Sequence, residues 1–323
     1  MSRPTVFITR ALPAAGLDLI QAECEAQVWP EQLPPAPAAL HAAVAGCAGI
    51  LALLTDRIDA ALLDAAGPQM RVISNFAVGV DNIDVAEATR RDIPVGNTPG
   101  VLTETTADLA WALLMAAARR IVEGDRYVRA GLWQTWEPQL LLGPDIAGAT
   151  LGIVGFGRIG QALARRASGF NMRVLYSQRT PATEQHGAQY VDLPLLLRES
   201  DFVSIHTPLT AATHHLFDAR TLASMKRGAI LINTARGPVV DPQALAAALR
   251  SGHLAAAALD VTEPEPISPD DPLLTLPNCI IVPHIGSASI ATRNRMAVMA
   301  ARNLLAGIRG ERLPHCVNPE VYA

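Results

Sequence analysis

The chain has 323 residues, half of them hydrophobic, and a formal net charge of −4. That length and apolar content suit a globular protein of two domains. The near-balanced charge, with no basic stripe, excludes nucleic acid as an expected partner, and no apolar run reaches the length that spans a bilayer.

The opening segment Met1-Ser2-Arg3-Pro4-Thr5 leads straight into a strand and has no signal-peptide core. Cys24, Cys47, Cys279 and Cys316 lie far apart, without metal or redox spacing. They read as reduced and mostly buried in a cytoplasmic protein, with no metal site expected. Short β-branched runs then alternate with Ala/Leu-rich helical patterns, which predicts α/β folding with mainly parallel sheet. Strands are expected near residues 5–9, 48–54, 71–76 and 94–97, with helices between them and a proline-rich loop at 30–37. Residues 102–121 read as one long, largely apolar helix buried between other elements, with Thr103 as N-cap and Thr106 in its first turn.

The next segment carries the strongest signal. Leu151-Gly152-Ile153-Val154-Gly155-Phe156-Gly157-Arg158-Ile159-Gly160 is an apolar strand, a glycine turn and the start of a helix. In that context Gly155 permits the tight turn, Gly157 lets backbone approach a pyrophosphate, and Gly160 lets helix and strand pack closely. The helix N-terminus offers N–H groups and positive dipole to phosphates. The following strand, near 172–176, would end in Asp or Glu at an NAD site, where the acid binds the ribose 2′-hydroxyl. Here it runs Tyr176-Ser177-Gln178-Arg179-Thr180. Without a repelling carboxylate, Ser177, Arg179 and Thr180 suit a 2′-phosphate, so NADP(H) is preferred and NAD(H) remains possible. A solvated loop cation is the plainer role for Arg179.

Four more strands are expected near 202–206, 230–233, 256–259 and 280–282, then a helix at 289–308 and an irregular tail. One glycine fingerprint lies mid-chain with about 150 residues of α/β pattern before it. This predicts two doubly wound parallel-sheet domains. A Rossmann dinucleotide domain (100–286) is inserted into a flavodoxin-like substrate domain (1–99 and 287–323). The cleft between them is the expected ligand site.

Three strand ends turn polar in apolar surroundings, where open α/β sheets bind ligands. Arg236 follows 230–233 and can hold a carboxylate in a fork; pairing with a nearby acid is its plainer role. The turn Asp260-Val261-Thr262-Glu263-Pro264-Glu265-Pro266 carries three carboxylates, which taken alone would be a solvated turn. His284 follows an apolar strand between Pro283 and Ile285-Gly286. A carboxylate from a neighbouring strand end would orient its ring and favour a proton-donating imidazolium. With a nicotinamide these parts suggest reduction of a 2-oxo acid: Arg236 as anchor, His284 as proton donor, Glu265 as the residue that holds His284.

Further motifs are Asn75-Phe76-Ala77-Val78-Gly79-Val80-Asp81-Asn82-Ile83-Asp84, Asn97-Thr98-Pro99-Gly100-Val101-Leu102-Thr103, His206-Thr207-Pro208-Leu209-Thr210, Asn233-Thr234-Ala235-Arg236-Gly237 and Pro283-His284-Ile285-Gly286-Ser287. With the glycine fingerprint and the Asp260–Glu265 turn they make nearly the whole chain resemble the D-isomer-specific 2-hydroxyacid dehydrogenases, closest to the glyoxylate/hydroxypyruvate reductases. The resemblance implies a catalytic trio of Arg236, Glu265 and His284. It implies substrate contacts at Val78 and Gly79, through backbone N–H groups, and at Arg236 and Ser287. It places Thr106 at the phosphate on the nicotinamide side, Asp260 at the carboxamide, and His206, Thr207, Pro208, Thr234 and Ala235 along the cofactor cleft, beside the loop Gly155 to Gly160. It also implies a homodimer. Trp133 and Trp136 match a Trp-x-x-Trp-x-Pro-x-Trp pattern of the animal-type reductases, but Leu140 replaces its last Trp. The smaller side chain admits other small 2-oxo acids, and by spacing alone the two tryptophans could be plain packing residues. Other readings of the same motifs are a 2-ketogluconate reductase, a D-lactate-type enzyme, or a dinucleotide-sensing corepressor-like scaffold. The intact trio and the lack of an appended basic segment favour an enzyme.

Overall fold

The computed structural model describes residues 3–323; the reading made on Met1 and Ser2 lies outside the described residues. The chain divides into two compact units. One runs up to Leu102 and resumes at Ser287–Ala323, and the other is Thr103–Gly286.

The first unit holds β1 (Thr5–Ile8), β2 (Glu25–Val28), β3 (Gly49–Ala52), β4 (Val72–Asn75) and β5 (Val95–Gly96) in the order β2-β1-β3-β4-β5, all parallel. The order reverses between β1 and β3, as in flavodoxin-like sheets. Helices Ala14–Glu23 and Ile290–Ile308 bury one face through Ile20, Met296 and Leu304. Helices Pro37–Val44 and Ala60–Ala66 bury the other through Leu40, Val44 and Leu62. With apolar cover on both faces, β3 and β4 are buried along their whole length. β3 therefore reads as a continuous rather than an alternating apolar run, while β4 ends in Ser74 and Asn75, whose side chains donate to the Ala300 and Gly79 carbonyls at 2.8 Å each.

The second unit holds β6 (Thr150–Val154), β7 (Arg173–Ser177), β8 (Gln189–Tyr190), β9 (Phe202–Ile205), β10 (Ile230–Asn233), β11 (Ala256–Leu259) and β12 (Cys279–Ile281). Their order is β12-β11-β10-β9-β6-β7-β8, again all parallel. Read from β8, this is the Rossmann order with one strand added. The switch point falls between β6 and β9, so the glycine turn and the His206-Thr207-Pro208 segment leave the sheet side by side. Helices Thr103–Ala118 and Arg158–Ser168 cover one face, while Leu193–Glu199 and Pro242–Arg250 cover the other.

Several details differ from the sequence expectation. β2 and β8 were not anticipated: both are edge strands, short and half or fully exposed, without a β-branched run. The long helix stops at Ala118 instead of 121. Arg120 takes a left-handed conformation (φ 50°), and a separate helix, Ile121–Arg129, follows with none of its residues buried. Thr103 is the first helical residue rather than the cap. Pro37 opens a helix rather than closing the proline-rich loop, consistent with proline's tolerance at the first helical turn. The tail contains a 3-10 turn, Pro319–Tyr322. Ser289 caps the last helix, its hydroxyl accepting from the Thr292 N–H at 3.1 Å. Cys24, Cys47 and Cys279 are buried and Cys316 partly so, all as free thiols. Among the described residues no helix is long and apolar enough to cross a membrane.

Candidate active site

The glycine loop has a division of labour set by space. Gly155 turns with φ 91°, and a Cβ there would lie 2.7 Å from the His206 carbonyl group. A Cβ on Gly160 would lie 2.4 Å from the Gly155 carbonyl oxygen, so only hydrogen lets the helix start this close to its strand. At Gly157 nothing lies within 4 Å, which leaves backbone open to approach. Helix Arg158–Ser168 begins here without a side-chain cap, so its first N–H groups point outward unpaired by any cap. Phe156, by contrast, is turned into the core, stacked on Tyr176 with ring centroids 4.1 Å apart. Its N–H is already given to the Gln178 side-chain oxygen at 3.1 Å. Arg158 is exposed and Ile159 half-buried on the opening turn.

Gln178 escaped the sequence reading. Its amide also donates to the Thr180 carbonyl at 2.7 Å, tying the turn after β7 to the glycine loop. Ser177 is half-buried, and Arg179 and Thr180 are exposed on that turn. Across the switch point, the His206 Nε2 sits 2.9 Å from the Ser204 hydroxyl, and burial pulls the imidazole down to about 4, so the ring is neutral at physiological pH. The hydroxyls of Thr207 and Thr234 are buried with no hydrogen-bond partner. Orphaned buried hydroxyls are costly. Two of them at adjacent carboxyl ends, beside an open glycine turn, fit a polar ligand lying along β6, β9 and β10. The residues present thus fit a dinucleotide. Pro208 is exposed, and its carbonyl accepts from the Thr213 hydroxyl at 2.6 Å.

At the end of β10 the buried Asn233 makes a clamp. Its side-chain oxygen accepts from the Ala235 N–H (3.0 Å) and its amide donates to the Arg236 carbonyl (2.9 Å). This fixes Arg236 half-buried in extended conformation, one guanidinium N–H reaching the Ala235 carbonyl at 2.8 Å. Gly237 then passes so close to the next turn that a Cβ would lie 1.9 Å from the Thr262 carbonyl oxygen. The Arg236 turn and the acidic turn are therefore packed backbone to backbone.

His284 leaves β12 in a left-handed conformation (φ 52°), its N–H donated to the Asp260 carbonyl at 2.9 Å. The Asp260 carboxylate is buried and accepts the Ile285 N–H at 2.6 Å on one oxygen and the Gly286 N–H at 2.8 Å on the other. Burial raises its pKa, opposed by these two N–H groups and by His284. Asp260 thus holds the histidine turn from below, a part the sequence reading did not give it. Thr106 is buried against the same turn: a Cβ on Gly286 would touch it at 3.4 Å. His284 Nδ1 lies 2.5 Å from Glu265 Oε1, and both side chains remain partly exposed. The expected pairing of histidine with a strand-end carboxylate is therefore present, and it engages Nδ1 rather than Nε2.

The remaining assigned residues lie in the other unit. The loop after β4 carries Val78 and Gly79, whose carbonyls are held by the Asn97 and Asn75 side-chain amides at 2.8 Å each. Ser287 is half-buried and its carbonyl accepts from the Ser289 N–H at 2.9 Å. Trp133 and Trp136 are 61% and 79% exposed, so they are not packing residues of this chain's own core.

Residues 111–286 match the family model described as D-isomer specific 2-hydroxyacid dehydrogenase, NAD binding domain. The chain belongs to this family. It is an NAD(P)-dependent dehydrogenase that uses a nicotinamide dinucleotide. A glyoxylate reductase of Korarchaeum cryptofilum is 54% identical over 99% of this chain and 97% of its own length. A Thermus thermophilus protein of known structure is 51% identical, with a TM-score of 0.92, over 97% of this chain and 99% of that one. An NADPH-dependent glyoxylate/hydroxypyruvate reductase of Sinorhizobium meliloti, solved with NADP and malonate, is 33% identical with a TM-score of 0.86, over 98% of both chains.

Proposed function

We propose that this dehydrogenase reduces glyoxylate and hydroxypyruvate to the corresponding 2-hydroxy acids, with NADPH preferred over NADH. The observation that carries the reading is the His284–Glu265 pair, held at 2.5 Å by a turn anchored on Asp260 and packed beside the Arg236 turn. Support for the substrates comes from the relatives named glyoxylate reductase and the structural neighbour named for both. When bound, the reduced nicotinamide supplies a hydride to the substrate's carbonyl carbon. Gly155 to Gly160, Thr207, Thr234 and Ala235 would hold that cofactor, with Asp260 and Thr106 at its nicotinamide end. Arg236 binds the substrate carboxylate and its neighbouring carbonyl oxygen in a fork. Glu265 keeps the Nδ1 side of His284 engaged, so Nε2 gives its proton to the carbonyl oxygen. The absence of an acid after β7 and the exposed Arg179 support the NADPH preference.

The deciding experiment is the initial rate of reduced-nicotinamide oxidation with glyoxylate and with hydroxypyruvate, each with NADPH and NADH. Turnover favouring NADPH is expected. Turnover favouring NADH would keep the reaction and overturn the part given to Ser177, Arg179 and Thr180. No turnover with either acid would overturn the substrate reading in favour of a larger 2-oxo acid. His284→Gln is expected to lower kcat by about 10²–10⁴-fold. Glu265→Gln replaces the carboxylate that holds the Nδ1 side of the His284 ring, so kcat is expected to fall, by less than in His284→Gln; an unchanged kcat would remove Glu265 from the proton-transfer step.

A further inference from the structure

A second cluster of ligating side chains lies in the Thr103–Gly286 unit and takes no part in the chemistry above. His214 and His215 are stacked with ring centroids 4.1 Å apart. His215 Nε2 is 2.7 Å from one oxygen of Glu263, and His214 Nε2 is 3.9 Å from the other. One nitrogen from each ring and a carboxylate oxygen all lie within 4.8 Å of one another. We propose that His214, His215 and Glu263 form a binding site for a divalent transition ion of the zinc class.

Neighbouring residues rarely turn both side chains to one side. Here the backbone of His215 is left-handed (φ 48°), and its N–H is fixed on the Pro238 carbonyl at 2.8 Å. The Phe217 N–H on the Val239 carbonyl at 3.0 Å braces the segment two residues on. The Glu263 side is braced too, because the Thr262 carbonyl rests against Gly237 and the Thr262 hydroxyl donates to the Pro264 carbonyl at 2.8 Å. The ligands therefore sit on two fixed segments, the preorganisation a metal site needs. Tetrahedral coordination at bond lengths of ~2.0–2.1 Å puts donors roughly 3.3 Å apart, and the separations of 2.7 and 3.9 Å bracket that value. Two imidazoles and one carboxylate select zinc, cobalt, nickel or copper over magnesium or calcium, which prefer all-oxygen sites. A hydrogen bond from His215 to Glu263 explains one of these contacts, but not why His214 is stacked alongside and directed at the second oxygen. Three protein ligands leave a fourth position open.

The test is titration of chelator-treated, tag-free, full-length protein with Zn²⁺ by calorimetry and with Co²⁺ by visible absorption. Binding does not depend on turnover, so this test stands apart from the proposed reaction. One equivalent per chain is expected, with four-coordinate Co²⁺ bands and no competition from excess Mg²⁺. His214→Gln and Glu263→Gln should each weaken binding by at least about tenfold, a loss of about 1.4 kcal/mol. His284→Gln should leave it intact. Equal binding by wild type and both ligand variants, loss of binding in His284→Gln, or displacement by Mg²⁺ would each overturn the proposal.

Discussion

Asp260 does two things with one carboxylate: it satisfies two backbone N–H groups, and through them it fixes the turn that carries His284. Asp260→Ala strands both groups, and a buried donor left unpaired costs about 1–3 kcal/mol. The variant should unfold at lower temperature and lose roughly ten- to a hundredfold in kcat/KM, while Asp260→Asn, which keeps one acceptor, should lose less. Wild-type values of both quantities in Asp260→Ala would mean that the histidine turn holds without the clamp. His206 makes a pH prediction. Its folded-state pKa, about 4, lies below the ordinary 6.5, so the unfolded chain binds the proton first as pH falls. The stability tied to neutral His206 is complete above about 6.5 and is lost progressively toward about 4. Urea midpoints of wild type should therefore fall more between pH 7 and 5 than those of His206→Gln. An equal fall in the two proteins would mean the ring protonates freely in the fold.

At the scale of elements, close approach decides which glycines matter. Gly237→Ala drives a methyl group into the Thr262 carbonyl, with backbone on both sides and nothing to swing away. We expect a loss of about 1–3 kcal/mol, the usual range for overpacking, and a fall in kcat/KM, since Arg236 and Glu265 lie on the two turns forced apart. Gly157→Ala meets nothing within 4 Å, so thermal stability should hold while fluorescence titration shows weaker nicotinamide dinucleotide binding. If Gly157→Ala unfolds early, or binds the dinucleotide as wild type does, the open space at that turn is not a ligand approach. The strands β3, β6, β9 and β10 were legible because burial on both faces demands mostly apolar runs, which Ser204 and the strand-end residues Thr150 and Asn233 interrupt only singly. The edge strands β2 and β8 were not, because exposure removes that demand. The helix break at Arg119–Arg120 left no glycine or proline to mark it; a left-handed arginine ends the run instead. The same logic separates the site residues. Arg236, Glu265 and His284 stand out as polar groups after apolar strands. The positions Asn233, Gln178 and Asp260 adopt were hidden, since their partners are backbone groups distant in sequence or across a turn.

At the scale of the whole molecule, the repeated doubly wound pattern was readable because each strand–helix alternation is local, whereas what covers an exposed surface is not. The helix Ile121–Arg129 buries none of its residues, and with the segment after it exposes Ile121, Val128, Leu132, Trp133, Trp136 and Leu142. Scattered apolar residues need no explanation, but a run of six within about two turns of helix and one loop is the kind of patch that marks an interface. A second copy of the chain is the occupant we propose, since the family resemblance implies a homodimer and buried tryptophans commonly anchor such contacts. A stable interface of this kind covers roughly 1,200–2,000 Å² in total, and desolvating one large aromatic side chain contributes a sizeable part of it. Trp136→Glu places a charge where that ring would be buried, at a cost that a dimer cannot absorb without separating. Sedimentation velocity should find wild type dimeric at micromolar concentration and Trp136→Glu monomeric, with the far-UV circular dichroism of the two alike because Trp136 touches little of its own fold. A wild-type chain that sediments as a monomer, or a Trp136→Glu chain that remains a dimer, would assign this apolar surface to something other than a second copy.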